Sequence, residues 1–274
     1  MRFRSPLARA GFVLAVFAGI CFCVGPFVLQ AITSLTPDRD IAHPGLPSTF
    51  TLDHYASALH GRSFTHVVQN SMFVASIVTI VSLAMAAPAA FAIAKLRIRG
   101  KRALLAATLA ISMFPPIATV SPLYLALRKV GLLDSLLGLT IPYTTFALPL
   151  ALWILTGFFQ DIPNDLYLAA RIDGCSRLSA FRKVLLPLAM PGIATAAIVT
   201  FIFVYNEFLY ALTFLSSPDK RTIPVAISLF AGEHTEPWGD IAAASILSTL
   251  PLVVVAVVFQ RPIVKALTAG SVKG

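Results

Sequence analysis

Two stretches of this 274-residue chain carry side chains that fit neither a purely apolar nor a purely solvated setting. The first is Val204-Tyr205-Asn206-Glu207-Phe208, where Glu207 is flanked by apolar runs on both sides. A carboxylate deep in hydrocarbon costs several kcal/mol unless it is paired or wetted. Tyr205, Asn206 and Glu207 therefore belong either to a polar path for a substrate or to a helix-pairing contact. Counted from Gly192 at about 1.5 Å per residue, Glu207 stands about 23 Å along its helix, towards the outer leaflet.

The second stretch is Asp161–Pro191, the longest polar interruption in the second half of the chain. It predicts two short helices joined by a turn. Pro163 suits a first helical turn, with Asn164 and Asp165 near the positive end of the dipole. Asp173-Gly174 stops that helix, because Gly accepts the left-handed conformation a helix end needs. Ser176 or Ser179 caps a second helix that runs through Phe181, Val184 and Leu185 to Pro187. Ala169 and Ala170 are small residues on a surface helix, where they let another body approach the backbone. Asp173 at a helix C-terminus is disfavoured by about 0.3–1 kcal/mol, a local conflict of the kind function leaves behind. A plain turn in which Asp173 pairs with Arg171 or Arg177 accounts for it equally well.

Other chemistry is missing. No Gly-rich loop ends in Gly-Lys-Ser or Gly-Lys-Thr, so the chain is not expected to hydrolyse ATP. His43, His54, His60, His66 and His234 all fall outside the apolar runs, and no nucleophile is paired with a base. Cys21 and Cys23 lie in the first apolar run and Cys175 in the polar stretch, without metal-ligand spacing. Neither catalysis nor a metal is expected. The formal charge of +9 does not signal nucleic acid either, because Lys95–Arg102 (KLRIRGKR) has no interleaved aromatic residue on which a base would stack. Anionic lipid is the expected contact of that run.

The elements that must position these groups are membrane helices. With 57% hydrophobic and 12% charged residues, the chain is too apolar for a water-soluble surface. Its charges are clustered, leaving runs of about 20 residues, enough to cross a hydrocarbon core about 30 Å thick. Six spans are predicted: Ala10–Leu35, Ser71–Ala94, Leu104–Leu127, Leu136–Phe159, Leu188–Leu215 and Ile241–Phe259. The first follows Arg2, Arg4 and Arg9 but is too long for a signal core and is read as a retained helix. Most of the 21 Lys and Arg residues fall in alternate loops: the N-terminus, Lys95–Arg102, Arg171–Lys183 and the tail from Arg261 to Lys273. The positive-inside rule makes those loops, and both termini, cytoplasmic. Of the prolines inside the spans, the Met113-Phe114-Pro115-Pro116 sequence is the strongest expected break. The outer loops Pro37–Asn70 and Ser216–Asp240 are too short to form a substrate-capturing domain.

LAARIDG, followed by CSRLSAFRKVLLPLAMPG, closely resembles the EAA loop of bacterial ABC importer permeases, in the carbohydrate-uptake branch of maltose- and trehalose-transporter type. The match covers Ala169, Ala170, Asp173, Gly174, Leu186 and Pro187. Leu168 stands where relatives usually carry Glu, so apolar packing replaces any ion pair made there. Met-Phe-Pro at 113–115 and the terminal ALTAGSVKG are also similar to that family. So is Tyr-Asn-Glu at 205–207, where relatives commonly have Trp-Asn-Glu or Trp-Asn-Asp.

The resemblance implies an all-α, six-span type I importer permease whose cytoplasmic coupling helices dock into an ATPase subunit. It implies residues 1–64 as first helix and loop, 65–260 as permease core with its coupling loop at 161–187, and 261–274 as a cytoplasmic tail. Partners would be a second homologous permease, two ATPase subunits that bind the ATP, an extracytoplasmic binding protein and a carbohydrate substrate. The setting would be the bacterial inner membrane. A self-contained secondary transporter or channel is the alternative, but it would be expected to show an internal repeat and several intramembrane charges.

Overall fold

Long apolar runs punctuated by proline and short basic turns become helices of very different lengths. In this computed structural model, residues 6–41, 43, 47–61, 64–230 and 237–269 are described, and none of them lies in a strand. Arg2, Arg4, Arg62, His234, Lys273 and the last five residues of the tail lie outside the described residues.

We label the principal helices α1 (Pro6–Ser34), α2 (Phe64–Lys95), α3 (Lys101–Ser112), α4 (Pro116–Lys129), α5 (Leu136–Asp161), α6 (Asn164–Ile172), α7 (Arg177–Leu188), α8 (Met190–Tyr205), α9 (Leu209–Phe214) and α10 (Trp238–Ala269). Four helices are long and apolar enough to cross a bilayer alone: α1, α2, α5 and α10. Two bent pairs raise the number to six if each is one span, α3 with α4 bent by 86° and α7 with α8 bent by 75°.

The break between α3 and α4 falls at Met113–Pro115, where the sequence predicts it. Pro115 is extended (ψ 119°) and Pro116 takes the first helical position, where its missing N–H leaves no bond unmade. Pro26, Pro88, Pro122, Pro142 and Pro149 remain inside their helices. The predicted span Leu188–Leu215 is not continuous: α8 ends at Tyr205, and α9 begins at Leu209.

The chain divides into two compact units, Met1–Thr65 with Ile227–Leu250, and His66–Ala226 with Pro251–Gly274. The second unit holds the main core. Ala86 and Ala90 of α2 meet Ala151 and Leu155 of α5, with Phe159, Phe181, Leu185 and Ala196 completing the cluster. Small residues at these positions let helices approach closely, which is how packing is won where lipid supplies no hydrophobic drive. Gly192 of α8 is one such close approach, since a Cβ there would lie 2.3 Å from Cγ of Phe158. In the first unit, by contrast, none of the apolar window of α1 is buried.

The second unit also sorts its ends. Lys95, at the end of α2, donates to the Ile162 carbonyl and to Asn164 Oδ1 at 2.9 Å, so the basic turn after α2 and the α5–α6 corner share one end. At the start of α2, Asn70 Nδ2 donates to the carbonyls of Asp219 at 2.8 Å and Arg221 at 3.1 Å, and Lys220 donates to Asp134 Oδ2 at 3.1 Å. The α4–α5 and α9 loops therefore share the other end.

Candidate coupling elbow and intramembrane groove

The polar stretch folds into an elbow whose corner is set by local backbone chemistry. Ile162 and Pro163 are extended (ψ 129° and 135°) and turn the chain out of α5 into α6. At the far end, Asp173 is the C-cap of α6, and Gly174 takes φ +85°. The Cys175 N–H then bonds back to the Ala170 carbonyl at 3.0 Å and the Gly174 N–H to the Arg171 carbonyl at 3.3 Å. These are the paired bonds by which a left-handed residue closes a helix and satisfies its last carbonyls. Arg171 donates to the Cys175 carbonyl at 2.5 Å rather than to Asp173. Among the described residues no ion pair to Asp173 is present. Ser176 is the cap of α7, its Oγ accepting from the Ser179 N–H at 3.2 Å. The turn Phe181–Leu185 is a π-helical widening within α7, and the chain then swings through 75° into α8.

The inner side of the elbow is clamped to the bundle. Phe91 of α2 lies 5.1 Å from Phe181, 5.8 Å from Tyr167 and 6.3 Å from Phe159, ring centre to ring centre. Lys95 adds its two bonds to the α5–α6 corner. On the outer side three large apolar side chains stand bare among the exposed Asp165, Arg171 and Arg177: Leu168 is 53% exposed, Ile172 85% and Leu178 55%. Leu168 and Ile172 are four residues apart and share one face of α6.

Of the five coupling candidates, Leu168, Ala169, Asp173 and Gly174 are exposed on the elbow. Ala170 is not; it is 6% exposed and packs inward. Its smallness lets α6 sit against its own bundle, which corrects the expectation that it opens the backbone to an outside body.

The break between α8 and α9 is made by the carboxylate that drew attention in the sequence. Glu207 Oε1 accepts from the Tyr210 N–H at 3.2 Å and Oε2 from the Ala211 N–H at 3.5 Å, capping α9. Asn206 donates to the Ile202 carbonyl at 2.8 Å, closing the end of α8. Between them the chain bends beside a groove of about 840 Å³ lined by Tyr143, Phe146, Trp153, Asn206, Glu207 and Phe208, among others. Ser112 and Pro116 line it too, so the α3–α4 and α8–α9 breaks border one cavity, a setting that tolerates irregular backbone at membrane depth. Tyr210 crosses the groove wall, its hydroxyl 2.5 Å from that of Thr119. Tyr205, predicted to share the path with Asn206 and Glu207, is instead 3% exposed and stacked on Phe201 at 5.7 Å.

Among the described residues no cluster of His, Cys, Asp or Glu gathers to hold a metal. The chemistry available is docking on one face and ligand contact in a groove. A family model described as "binding-protein-dependent transport system inner membrane component" matches residues 56–268.

The chain belongs to that family. This transport component is 46% identical over 231 residues to the trehalose transport system permease protein SugB of Mycobacterium tuberculosis, covering 84% of each chain. It is 36% identical over 272 residues, 98% of each chain, to the trehalose/maltose transport system permease protein MalG of Thermococcus litoralis. Its fold is similar, with TM-score 0.78 and 26% identity, to a chain of a bacterial ABC transporter involved in the import of the acidic polysaccharide alginate, covering 95% of this chain and 99% of that one. It is a multi-pass membrane protein and a transport component rather than an enzyme. Sequence reading of this transport component missed three groups that the structure brings to its sites. Lys95 reads in the sequence only as a topology charge, while Tyr143 and Trp153 read only as apolar span residues.

Proposed function

We propose that this chain is one permease subunit of an ABC importer for a sugar, working with a second homologous permease, two ATPase subunits and an extracytoplasmic binding protein. The observation that carries this is the elbow: a clamped pair of helices that leaves Leu168, Ile172 and Leu178 bare in a chain of the transport family. Leu168, Ala169, Asp173 and Gly174 form or shape the docking face, with Ala170 as its inward support. ATPase closure pushes on this face, and the Phe91 and Lys95 contacts carry the push into α2 and α5. ATP is bound by the ATPase partners alone. Residues 65–260 form the transport core, a division supported by the family match over 56–268. The elbow faces the cytoplasm of a bacterial inner-membrane setting, with both termini on that side, as the basic residues at its end favour.

A sugar is supported by the relatives named for trehalose and maltose transport, and by a diacetylchitobiose uptake permease of Streptomyces coelicolor, 32% identical over 264 residues. Asn206 and Glu207 contribute to the substrate path, and Tyr205 supports the helix behind them. Co-expression with an ATPase subunit of the same transport system tests the reading. The two should copurify, and the chain alone should neither bind nor hydrolyse nucleotide. Nucleotide hydrolysis by the isolated chain would end it.

A further inference from the structure

The groove at the α3–α4 and α8–α9 breaks has aromatic faces, one carboxyl group and no cation. Its lining residues include no Lys, Arg or His. We infer that this groove is a subsite for the ring of a neutral sugar and excludes acidic sugars; this rests on the importer reading above and names its substrate class.

Three features converge. The volume of about 840 Å³ falls within the range of sites that hold small organic ligands. Trp153 is 57% exposed and Phe208 39%, so aromatic faces are presented to the space and offer the apolar C–H face of a sugar ring a flat partner. The polar groups are few and gathered at one point. Glu207 accepts from the Tyr210 and Ala211 N–H groups, and the buried Tyr143 hydroxyl lies beside it, so carboxylate and phenol form one polar end of the groove. A carboxylate offers about four lone-pair sites, so a ligand hydroxyl can donate to it alongside these groups.

The charge argument sets the class. An anion entering an apolar-walled groove must be matched by a positive group or lose its hydration without return. Here the one ionisable group that is not a phenol is itself an acid. A uronate or phosphorylated sugar finds no counter-charge, whereas a neutral disaccharide loses nothing comparable.

Trp153 and Trp238 are the two tryptophans of the chain, so Trp238→Phe leaves Trp153 as the sole reporter. The full-length variant in lipid nanodiscs would be titrated with trehalose, maltose and, as the acidic probe, cellobiouronic acid. A saturable emission change is expected with a neutral disaccharide, and a response at least about tenfold weaker with the acid, as the loss of one charge-assisted contact implies. Glu207→Gln should narrow that gap, and Glu207→Leu should weaken the neutral sugar as well. No saturable change with either neutral disaccharide overturns the subsite; an equal response to the acid overturns the selectivity.

In proteoliposomes carrying the assembled importer, Trp153→Ala should lower uptake of the neutral sugar and Trp153→Phe should restore it. Unchanged uptake in Trp153→Ala is the result expected if the second permease covers the groove, and it overturns the proposal, as does a wild-type importer that carries the acidic probe alone. Copurification with the ATPase is read in the same preparations, and its loss in the wild type would instead count against the importer reading.

Discussion

His54 shows how one side chain can hold a loop joint together. It is 5% exposed, with Nδ1 2.9 Å from Asp240 Oδ1 and Nε2 2.9 Å from the Thr36 carbonyl. Asp38 Oδ1 stands 3.8 Å from Nε2, and Gly239 lies so close that a Cβ there would meet the ring at 2.3 Å. A carbonyl only accepts and a carboxylate only accepts, so both ring nitrogens must donate and the ring is held as the imidazolium. Burial pulls its pKa down, but the Asp240 and Thr36 hydrogen bonds and the Asp38 and Asp240 charges outweigh that, and the net shift is upward. The sign follows: the stabilisation is fully present below the ordinary histidine pKa of about 6.5 and is lost as pH rises through the raised value. Melting curves of wild type and His54→Gln should therefore differ most at pH 6 or so and converge at alkaline pH. A gap that stays constant across that range would contradict the assignment. Asp134 runs the other way. The Ser217 hydroxyl and N–H, with Lys220 and the Ser216 N–H, hold its carboxyl well below the usual range, so its joint persists until strongly acid pH.

At the scale of elements, the elbow was legible because its signals are local. Pro163, Asp173-Gly174 and Ser176 each act on their own backbone: the structure ends α6 at Asp173-Gly174 as expected, takes Ser176 of the two candidate caps, and sets Pro163 extended just ahead of the helix rather than in its first turn. Gly174 at φ +85° makes the point testable, since a β-branched residue there costs about 1–3 kcal/mol of backbone strain. The inward turn of Ala170 was not legible, because a nine-residue helix of mixed polarity does not say which side faces its own bundle. The break at Asn206–Phe208 was hidden for a different reason. No proline or glycine marks it; Glu207 makes it by capping α9, and a carboxylate in an apolar run looks the same whether it caps a helix or faces a substrate. The tie from Lys95 to Ile162 and Asn164 spans 67 and 69 residues and leaves no trace in sequence. Lys95→Met keeps the stem and removes a charged hydrogen-bonding group worth about 1.5–3 kcal/mol. Transport should fall while ATP hydrolysis persists, because the push would no longer reach α2. Equal loss of both, or of neither, would place the transmission elsewhere.

For the whole molecule, the alternation of basic loops predicts one orientation, with the end of the second unit that holds Lys95 and the elbow facing the cytoplasm. A cysteine at Ser216 should react with a membrane-impermeant thiol reagent in intact cells, and Cys175 should not. Labelling of Cys175 from outside would invert the orientation. The central claim is that the elbow couples this permease to an ATPase, and it is tested most directly in proteoliposomes carrying the assembled importer. Uptake and substrate-stimulated ATP hydrolysis would be measured together for wild type, Gly174→Val and Leu168→Asp. The first variant misplaces α7, and the second puts a charge on the bare apolar face, where burial of a leucine is worth about 1.5–3 kcal/mol. Both should reach the membrane at normal level and lose uptake and stimulated hydrolysis alike. Wild-type rates of both activities in both variants would make this stretch an ordinary loop and contradict the account.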